Sequence, residues 1–145
     1  MKSLIKRSFD AGNLPESISI SLLLLRVIVG IFMITHGYGK FLRLFAEGPV
    51  QFADPLGIGV TTSLILAVFA EFFCSIFLIF GVATRFSAIL LLITMLVAAL
   101  IVHAPDPFVR KELPLLYAAV YVAIAIAGAG KYSVDNWISK KWNKH

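Results

Sequence analysis

The sequence predicts an all-α integral membrane protein, a bundle of four transmembrane helices with both termini in the cytoplasm. Hydrophobic residues make up 59% of the 145-residue chain and charged residues only 14%, whereas a soluble chain carries about 25% charged residues. Four long apolar runs are separated by polar segments, and a helix needs about 20 apolar residues to cross a bilayer. We therefore expect the chain to have the lipid bilayer as its solvent.

The first predicted span, residues 18–38, follows a polar cytoplasmic segment, residues 1–17. Asn13-Leu14-Pro15-Glu16-Ser17 is typical of the start of a helix, with an early proline, an acid and a serine that can cap it. Asp10 and Arg26 interrupt the pattern of a cleaved signal peptide, and no small-residue cleavage site follows. We therefore expect this run to be retained as a span.

Residues 41–59 form the longest predicted connection. Apolar and charged residues alternate at its start, which favours a short helix lying at the membrane interface: Phe41, Leu42, Arg43, Leu44, Phe45 and Glu47. Long loops are often functional, so a lid and a re-entrant segment stay open as alternatives to an interfacial anchor, which we favour.

The second and third predicted spans, residues 60–82 and 86–102, form a tight hairpin. Gly81 is typical of a helix stop and Thr84 of the cap of the next helix. Two prolines in the segment 103–107 end the third span, because proline cannot continue a helix.

The fourth predicted span, residues 113–130, has Pro114 in its first turn, where the missing N–H of proline costs nothing. Ala119, Ala123 and Ala127 recur every four residues, and this spacing lets membrane helices approach closely. The stripe suits contact within the bundle or within a homo-oligomer. The domain of residues 18–136 is followed by a basic cytoplasmic tail, residues 137–145, whose tryptophans and lysines indicate an interfacial anchor.

The distribution of lysine and arginine predicts the topology. With four spans, one side of the membrane holds eight of these residues, namely Lys2, Lys6, Arg7, Arg85, Lys131, Lys140, Lys141 and Lys144. The other side holds four, namely Lys40, Arg43, Arg110 and Lys111. The positive-inside rule then places both termini in the cytoplasm. Arg85 opens a helix, where a cation opposes the helix dipole, so either this charge bias or Asp135 must account for it.

Two ionisable residues, Arg26 and Glu71, lie within predicted spans. At 1.5 Å per residue, Arg26 is about 12 Å and Glu71 about 16 Å from the inner ends of their helices. An unpaired charge at such depth costs roughly 2.5–3.5 kcal/mol. We therefore predict an Arg26–Glu71 ion pair. Two roles stay open for it, the floor of a ligand or proton site and a structural contact that fixes helix register.

A polar cluster is predicted at the outer end of the bundle, where His36, Lys40, His103 and Glu112 are expected to meet. One face of the first span carries Arg26, Gly30, Met33, Gly37 and Lys40, and its glycines allow a neighbouring helix to approach closely. The candidate ligand-binding residues are therefore Arg26, His36, Lys40, Glu71 and His103.

The chemistry of this cluster favours a quinone headgroup over a metal. A quinone needs an apolar slot with one or two hydrogen-bond donors, whereas the histidines lack the H-x-x-x-H or H-E-x-x-H spacing of metal sites. We predict no metal site and no nucleic-acid partner, and the sequence identifies no catalytic residue. The single cysteine, Cys74, permits no internal disulfide or C-x-x-C pair and is expected to pack in the core.

Three ordered motifs resemble the DoxX family. Leu25 to Lys40 is similar to its opening motif, Ala70-Glu71-Phe72 with Gly81 to Arg85 to its second, and Gly128 to Asp135 to its closing motif. The resemblance covers Leu22 to Trp137, and Lys131 stands where arginine is usual in the family. The matching motif positions are Arg26, His36, Gly37, Lys40, Glu71, Arg85, Lys131 and Asp135.

This resemblance implies a small four-helix protein of the bacterial inner membrane, associated with quinone-dependent or thiol and oxidative-stress redox systems. The leading hypothesis is an accessory subunit of such a system, with a quinone as cofactor and a redox protein as partner. The alternative is a structural or partner-recruiting membrane protein without a ligand. A small transporter is a third reading, but the paired discontinuous spans typical of transporters are missing.

Overall fold

Five helices make up the computed structural model, which describes residues 14–142 and has no strand within that range. They are α1 (Glu16–Arg43), α2 (Val60–Phe80), α3 (Thr84–Val102), α4 (Phe108–Ala127) and α5 (Val134–Trp142). The prediction of an all-α fold is confirmed. Helices α1, α2 and α3 are long and apolar enough to cross a membrane. Helix α4 differs, because its first turns carry Arg110, Lys111 and Glu112.

Two predicted helix boundaries are wrong. Helix α1 continues to Arg43, so Phe41 and Leu42 belong to it, and residues 44–59 contain no separate interfacial helix. Helix α4 already begins at Phe108, which places Pro114 inside the helix rather than in its first turn. Because proline has no N–H, it also cannot donate to the carbonyl one turn earlier.

The core lies where the four long helices meet. Met33, Cys74, Leu91, Tyr121 and Ile124 are all buried there. The outward faces remain apolar, and large side chains such as Ile31, Phe80, Leu100 and Ile126 are exposed. Soluble proteins rarely expose apolar surface on this scale, so these faces are in contact with the lipid bilayer.

One end of the bundle brings together the start of α1, the α2–α3 turn and the segment before α5. We call it the first end. The hydroxyl of Tyr132 donates to the Glu16 carboxylate at 2.5 Å. The carboxylate of Asp135 accepts hydrogen bonds from the backbone N–H groups of Ala83 at 2.8 Å and Thr84 at 2.9 Å. Asp135 is therefore the N-terminal cap of α3.

This capping corrects two expectations. The hydroxyl of Thr84 makes no hydrogen bond, so Thr84 does not cap α3. Asp135 is not the partner of Arg85 either. Its carboxylate oxygens accept from the backbone N–H groups of Ala83 and Thr84. The Arg85 guanidinium donates to the Ala125 carbonyl at 3.2 Å.

Candidate functional site

The predicted ion pair between Arg26 and Glu71 is wrong. Arg26 is fully buried at the first end of the bundle, where its guanidinium donates to the carbonyls of Leu78 at 3.2 Å and Tyr132 at 2.7 Å. Asp135, also buried, supplies the opposite charge. Arg26 thus ties α1 to α2 and to the C-terminal segment, away from the other candidate residues.

The packing of α1 against α2 explains the error. A Cβ atom on Gly37 would lie 2.7 Å from the backbone carbon of Glu71, so these two residues face each other. Eleven residues separate Gly37 from Arg26, or about 16 Å along a helix. Lys40 is only one turn beyond Gly37 and is therefore the cation within reach of Glu71.

Lys40 and Glu71 form an ion pair in which the ammonium donates to both carboxylate oxygens. The side chain of Glu71 is 4% exposed and that of Lys40 27% exposed. The acid is therefore held in the interior, while the base reaches it from the end of the bundle opposite to the first end, where α1 ends. A buried carboxylate stays charged only if it is paired in this way.

An apolar cavity of about 420 Å³ lies on one side of this ion pair. Helices α2 and α3 form its walls, with Leu66, Phe69, Ile93 and Val97 among the lining residues. Residues 44–59, which we call the cover loop, contribute Phe52, Leu56 and Ile58 to its lining. Its volume is within the range of about 300–1,000 Å³ that is typical of small-molecule sites.

A smaller cavity of about 230 Å³ lies on the other side, between α1, α3 and α4. We call it the polar cavity because His36, Arg110 and Tyr117 line it. The imidazole of His36 meets the Tyr117 ring edge to face, with 6.2 Å between the ring centres.

The two cavities share part of their lining. Lys40, Glu71, Ala98 and His103 belong to both, and we call these four residues the shared wall. The helices are irregular at this point, with π-helical segments at Phe69–Cys74 in α2 and Ala98–Val102 in α3. Such segments are often found at functional sites. Of the five candidate ligand residues, the structure brings together His36, Lys40, Glu71 and His103, and leaves Arg26 out.

His103 is bound to Asp106, a residue that the sequence analysis did not single out. Nδ1 of His103 lies 2.7 Å from a carboxylate oxygen of Asp106, and Arg110 lies 3.7 Å from the same oxygen. The hydrogen bond from His103, aided by the charges of Arg110 and Lys111, holds the pKa of Asp106 below its usual value. The sequence feature that could have indicated this contact is the spacing, because the acid follows the histidine by three residues.

Asp54 fixes the cover loop and was also missed. Its carboxylate accepts hydrogen bonds from the Ser63 hydroxyl at 2.8 Å and from the N–H groups of Ile58 at 3.1 Å and Gly59 at 2.8 Å. The Ser63 bond, followed by those from the backbone, lowers the pKa of Asp54. Asp54 thereby holds the loop against the start of α2.

The remaining predicted residues lie elsewhere. Gly30 packs against Ile79 of α2, where an added Cβ would lie 2.5 Å from the isoleucine side chain. Lys131 and Arg85 are at the first end, with the Lys131 carbonyl accepting a bond from Asn136 at 2.7 Å. Glu112 is exposed and lines neither cavity, so it is not part of the polar cluster.

The fold and site define a helical membrane protein with two cavities that meet at a buried ion pair. The family model described as DoxX matches residues 21–104, which contain the whole shared wall. The chain belongs to the DoxX family, and the resemblance seen in its motifs is confirmed.

Relatives match this chain over most of their length. It is 30% identical over 126 residues to the "Putative oxidoreductase CatD" of Bacillus subtilis, covering 86% of this chain and 92% of the relative. It is 32% identical over 137 residues to an uncharacterised protein of Haemophilus influenzae, covering 90% and 99%. It is 27% identical over 129 residues to the "Inner membrane protein YqjF" of Escherichia coli, covering 85% and 95%. No solved structure matches the chain.

Proposed function

We propose that this protein is an accessory membrane subunit of a redox system and that it binds a quinone-like molecule in the apolar cavity. The observation that carries the proposal is the position of His103 and of the Lys40–Glu71 ion pair at the wall of a largely apolar cavity. Small-molecule sites are commonly built in this way, with apolar walls and a few placed polar groups.

The residues of the cavity fit such a molecule. Aromatic and aliphatic side chains would surround an apolar ring and tail, and His103 would meet a ring oxygen. A quinone supplies the exchange of two electrons and two protons at its ring oxygens. Cys74 is fully buried in the core, which favours a quinone-linked system over a thiol-linked one.

The comparisons support a redox role and a place in the bacterial inner membrane. One relative carries the name of an oxidoreductase and another that of an inner membrane protein. We propose that α4 is the fourth span and that both termini are cytoplasmic. The uncharged part of α4, residues 113–127, follows charged first turns, and the first end of the bundle carries Arg85, Lys131, Lys140 and Lys141.

A second function, the recruitment of a partner chain or a second copy without any ligand, rests on a different observation. Ala119 and Ala123 of α4 are exposed instead of packing within the bundle. Small residues at this spacing let another membrane helix approach closely.

Native mass spectrometry with quinone extraction, on protein purified in mild detergent, separates the two functions. The first predicts a stoichiometric quinone that is lost in Ala67→Phe, because Ala67 lines the apolar cavity. Ala123→Phe is the matched control, since Ala123 is exposed on α4 and lines neither cavity. Protein that carries no small molecule but purifies with a second chain would overturn the ligand proposal.

A further inference from the structure

His103 is the one member of the shared wall whose polar side chain has a nitrogen left for a ligand. Lys40 and Glu71 are engaged with each other through both carboxylate oxygens, and Ala98 has no polar side-chain atom. His103 uses Nδ1 for Asp106, at 2.7 Å. Its second nitrogen, Nε2, therefore remains for the two cavities that its ring lines.

The bond to Asp106 determines which nitrogen of a neutral His103 carries the proton. The hydrogen bond from His103 lowers the pKa of Asp106, so this carboxylate is ionised at neutral pH. An ionised carboxylate accepts hydrogen bonds but cannot donate them. Nδ1 must then hold the proton and donate it, and Nε2 has a free lone pair.

We infer that Asp106 is a positioning residue. It holds neutral His103 with a bare Nε2 available to the cavities that the imidazole lines, so that the site prefers a quinol to a quinone. This inference rests on the proposed function. A quinol presents a hydroxyl that donates to Nε2, whereas a quinone presents a carbonyl oxygen that can only accept. A bare nitrogen facing a carbonyl oxygen brings two acceptors together, and neither can donate a hydrogen bond to the other.

Other charged groups surround this pair and bear on any pH dependence. Asp106 is met by Arg110 and Lys111 from α4, and Tyr117 of α4 lines the polar cavity. His36 and Lys40 face His103 from α1, and Glu71 faces it from α2. Because several charged groups surround the imidazole, the position of the proton is better read from the imidazole itself than from a pH profile alone.

The first test measures the tautomer without a ligand. Full-length protein labelled with [15N]histidine is placed in lipid nanodiscs, and the imidazole nitrogen signals are recorded at pH 8, where histidine is ordinarily neutral. The chain has three histidines, and His103→Gln identifies the His103 signals by their loss. We expect a protonated Nδ1 and a bare Nε2, and an increased share of the other tautomer in Asp106→Asn, whose amide both donates and accepts. A protonated Nε2 in the wild type would overturn the inference.

The second test measures the affinity of the same nanodiscs for decylubiquinol and decylubiquinone at pH 8. The wild type should bind the quinol about three- to ten-fold more tightly, the size expected for one hydrogen bond to the partly exposed His103. His103→Gln and Asp106→Asn should lose this preference, while Glu112→Gln, an equivalent charge change on an exposed residue, should keep it.

The two tests separate the inference from the proposed function. A preference that survives both substitutions overturns the role of the His103–Asp106 pair, although a quinone site would remain. Binding of neither probe by the wild type overturns the proposed function and the ligand preference with it, whereas the tautomer signals still report on the pairing of Asp106.

Discussion

Lys40 and Glu71 form an ion pair in the wall between two cavities, with the acid buried and the base reaching inward from the end of α1. The pair therefore has two effects on the structure. It joins α1 to the π-helical segment of α2, and it places a compensated charge beside an apolar cavity. Its two partners differ in exposure, and this difference leads to the first prediction.

Removing the base should destabilise the protein more than neutralising the acid. Lys40→Met leaves the carboxylate of Glu71 buried without a partner, and breaking a buried pair in this way costs about 3–5 kcal/mol. Glu71→Gln should cost only about 1–2 kcal/mol, because the partly exposed Lys40 can turn toward the polar cavity. The free energy of unfolding in mixed detergent micelles measures both effects.

The double variant Lys40→Met/Glu71→Met is the control for this prediction. It removes both charges and should recover to within about 1 kcal/mol of the wild type, since apolar pairs often replace buried ion pairs without loss. If the two single losses simply added in the double variant, the two residues would not be coupled and the ion pair would not explain their effects.

Gly37 and Gly39 offer a matched pair of substitutions on α1. A Cβ at Gly37 would lie 2.7 Å from the backbone of Glu71, whereas one at Gly39 meets nothing within 4 Å. Gly37→Ala should therefore push α1 away from α2 and cost about 1–3 kcal/mol. Gly39→Ala should be neutral or stabilising by up to about 1 kcal/mol, because alanine favours the helix. Equal melting temperatures for the two variants would contradict the close approach.

The helical content and the position of the polar cluster could be predicted from the sequence because both depend on local patterns. Apolar runs of sufficient length define α1, α2 and α3. Helical spacing together with the prolines after His103 placed His36, Lys40 and His103 at the same end of the bundle. The structure brings these three residues to the polar cavity, and their role in ligand binding stays a proposal.

The partner of Arg26 could not be predicted in the same way. Depth counted along each helix suggested Glu71, but the actual register depends on the close contact of Gly37 with Glu71. Arg26 donates to main-chain carbonyls at the first end, one of them more than a hundred residues away at Tyr132. Every residue has a main-chain carbonyl, so the sequence does not show which carbonyl a buried arginine will bind. A search for residues of opposite charge therefore misses these partners.

The C-terminal segment should detach from the bundle when Asp135 is replaced. Asp135→Ala removes the cap of α3 at Ala83 and Thr84, and losing such a cap costs about 1 kcal/mol. It also leaves the buried guanidinium of Arg26 without its opposite charge. We expect faster hydrogen exchange at the amides of residues 83 and 84 and faster proteolysis in residues 128–142. Asn136→Ala is the control, because its side chain donates to the nearby Lys131 carbonyl and makes no hydrogen bond with the α3 start within residues 14–142. Equal exchange in both variants would contradict the capping role.

The cover loop should open in acid because Asp54 must be ionised to hold it. Hydrogen bonds lower the pKa of Asp54 in the folded protein below its ordinary value of 3.8. A group of this kind contributes its full stabilisation above its unfolded pKa and loses it as the pH falls through the folded pKa. Proteolysis by pepsin should therefore cut residues 44–59 of the wild type slowly at pH 5 and rapidly once the pH is well below 3.8.

Asp54→Asn should weaken this dependence on pH and admit cleavage already at pH 5. Glu47→Gln is the control, an equivalent change in the exposed part of the same loop, and should behave like the wild type. A loop in the Asp54→Asn variant that stays as protected as the wild type at pH 5 would show that the carboxylate does not hold the cover loop in place.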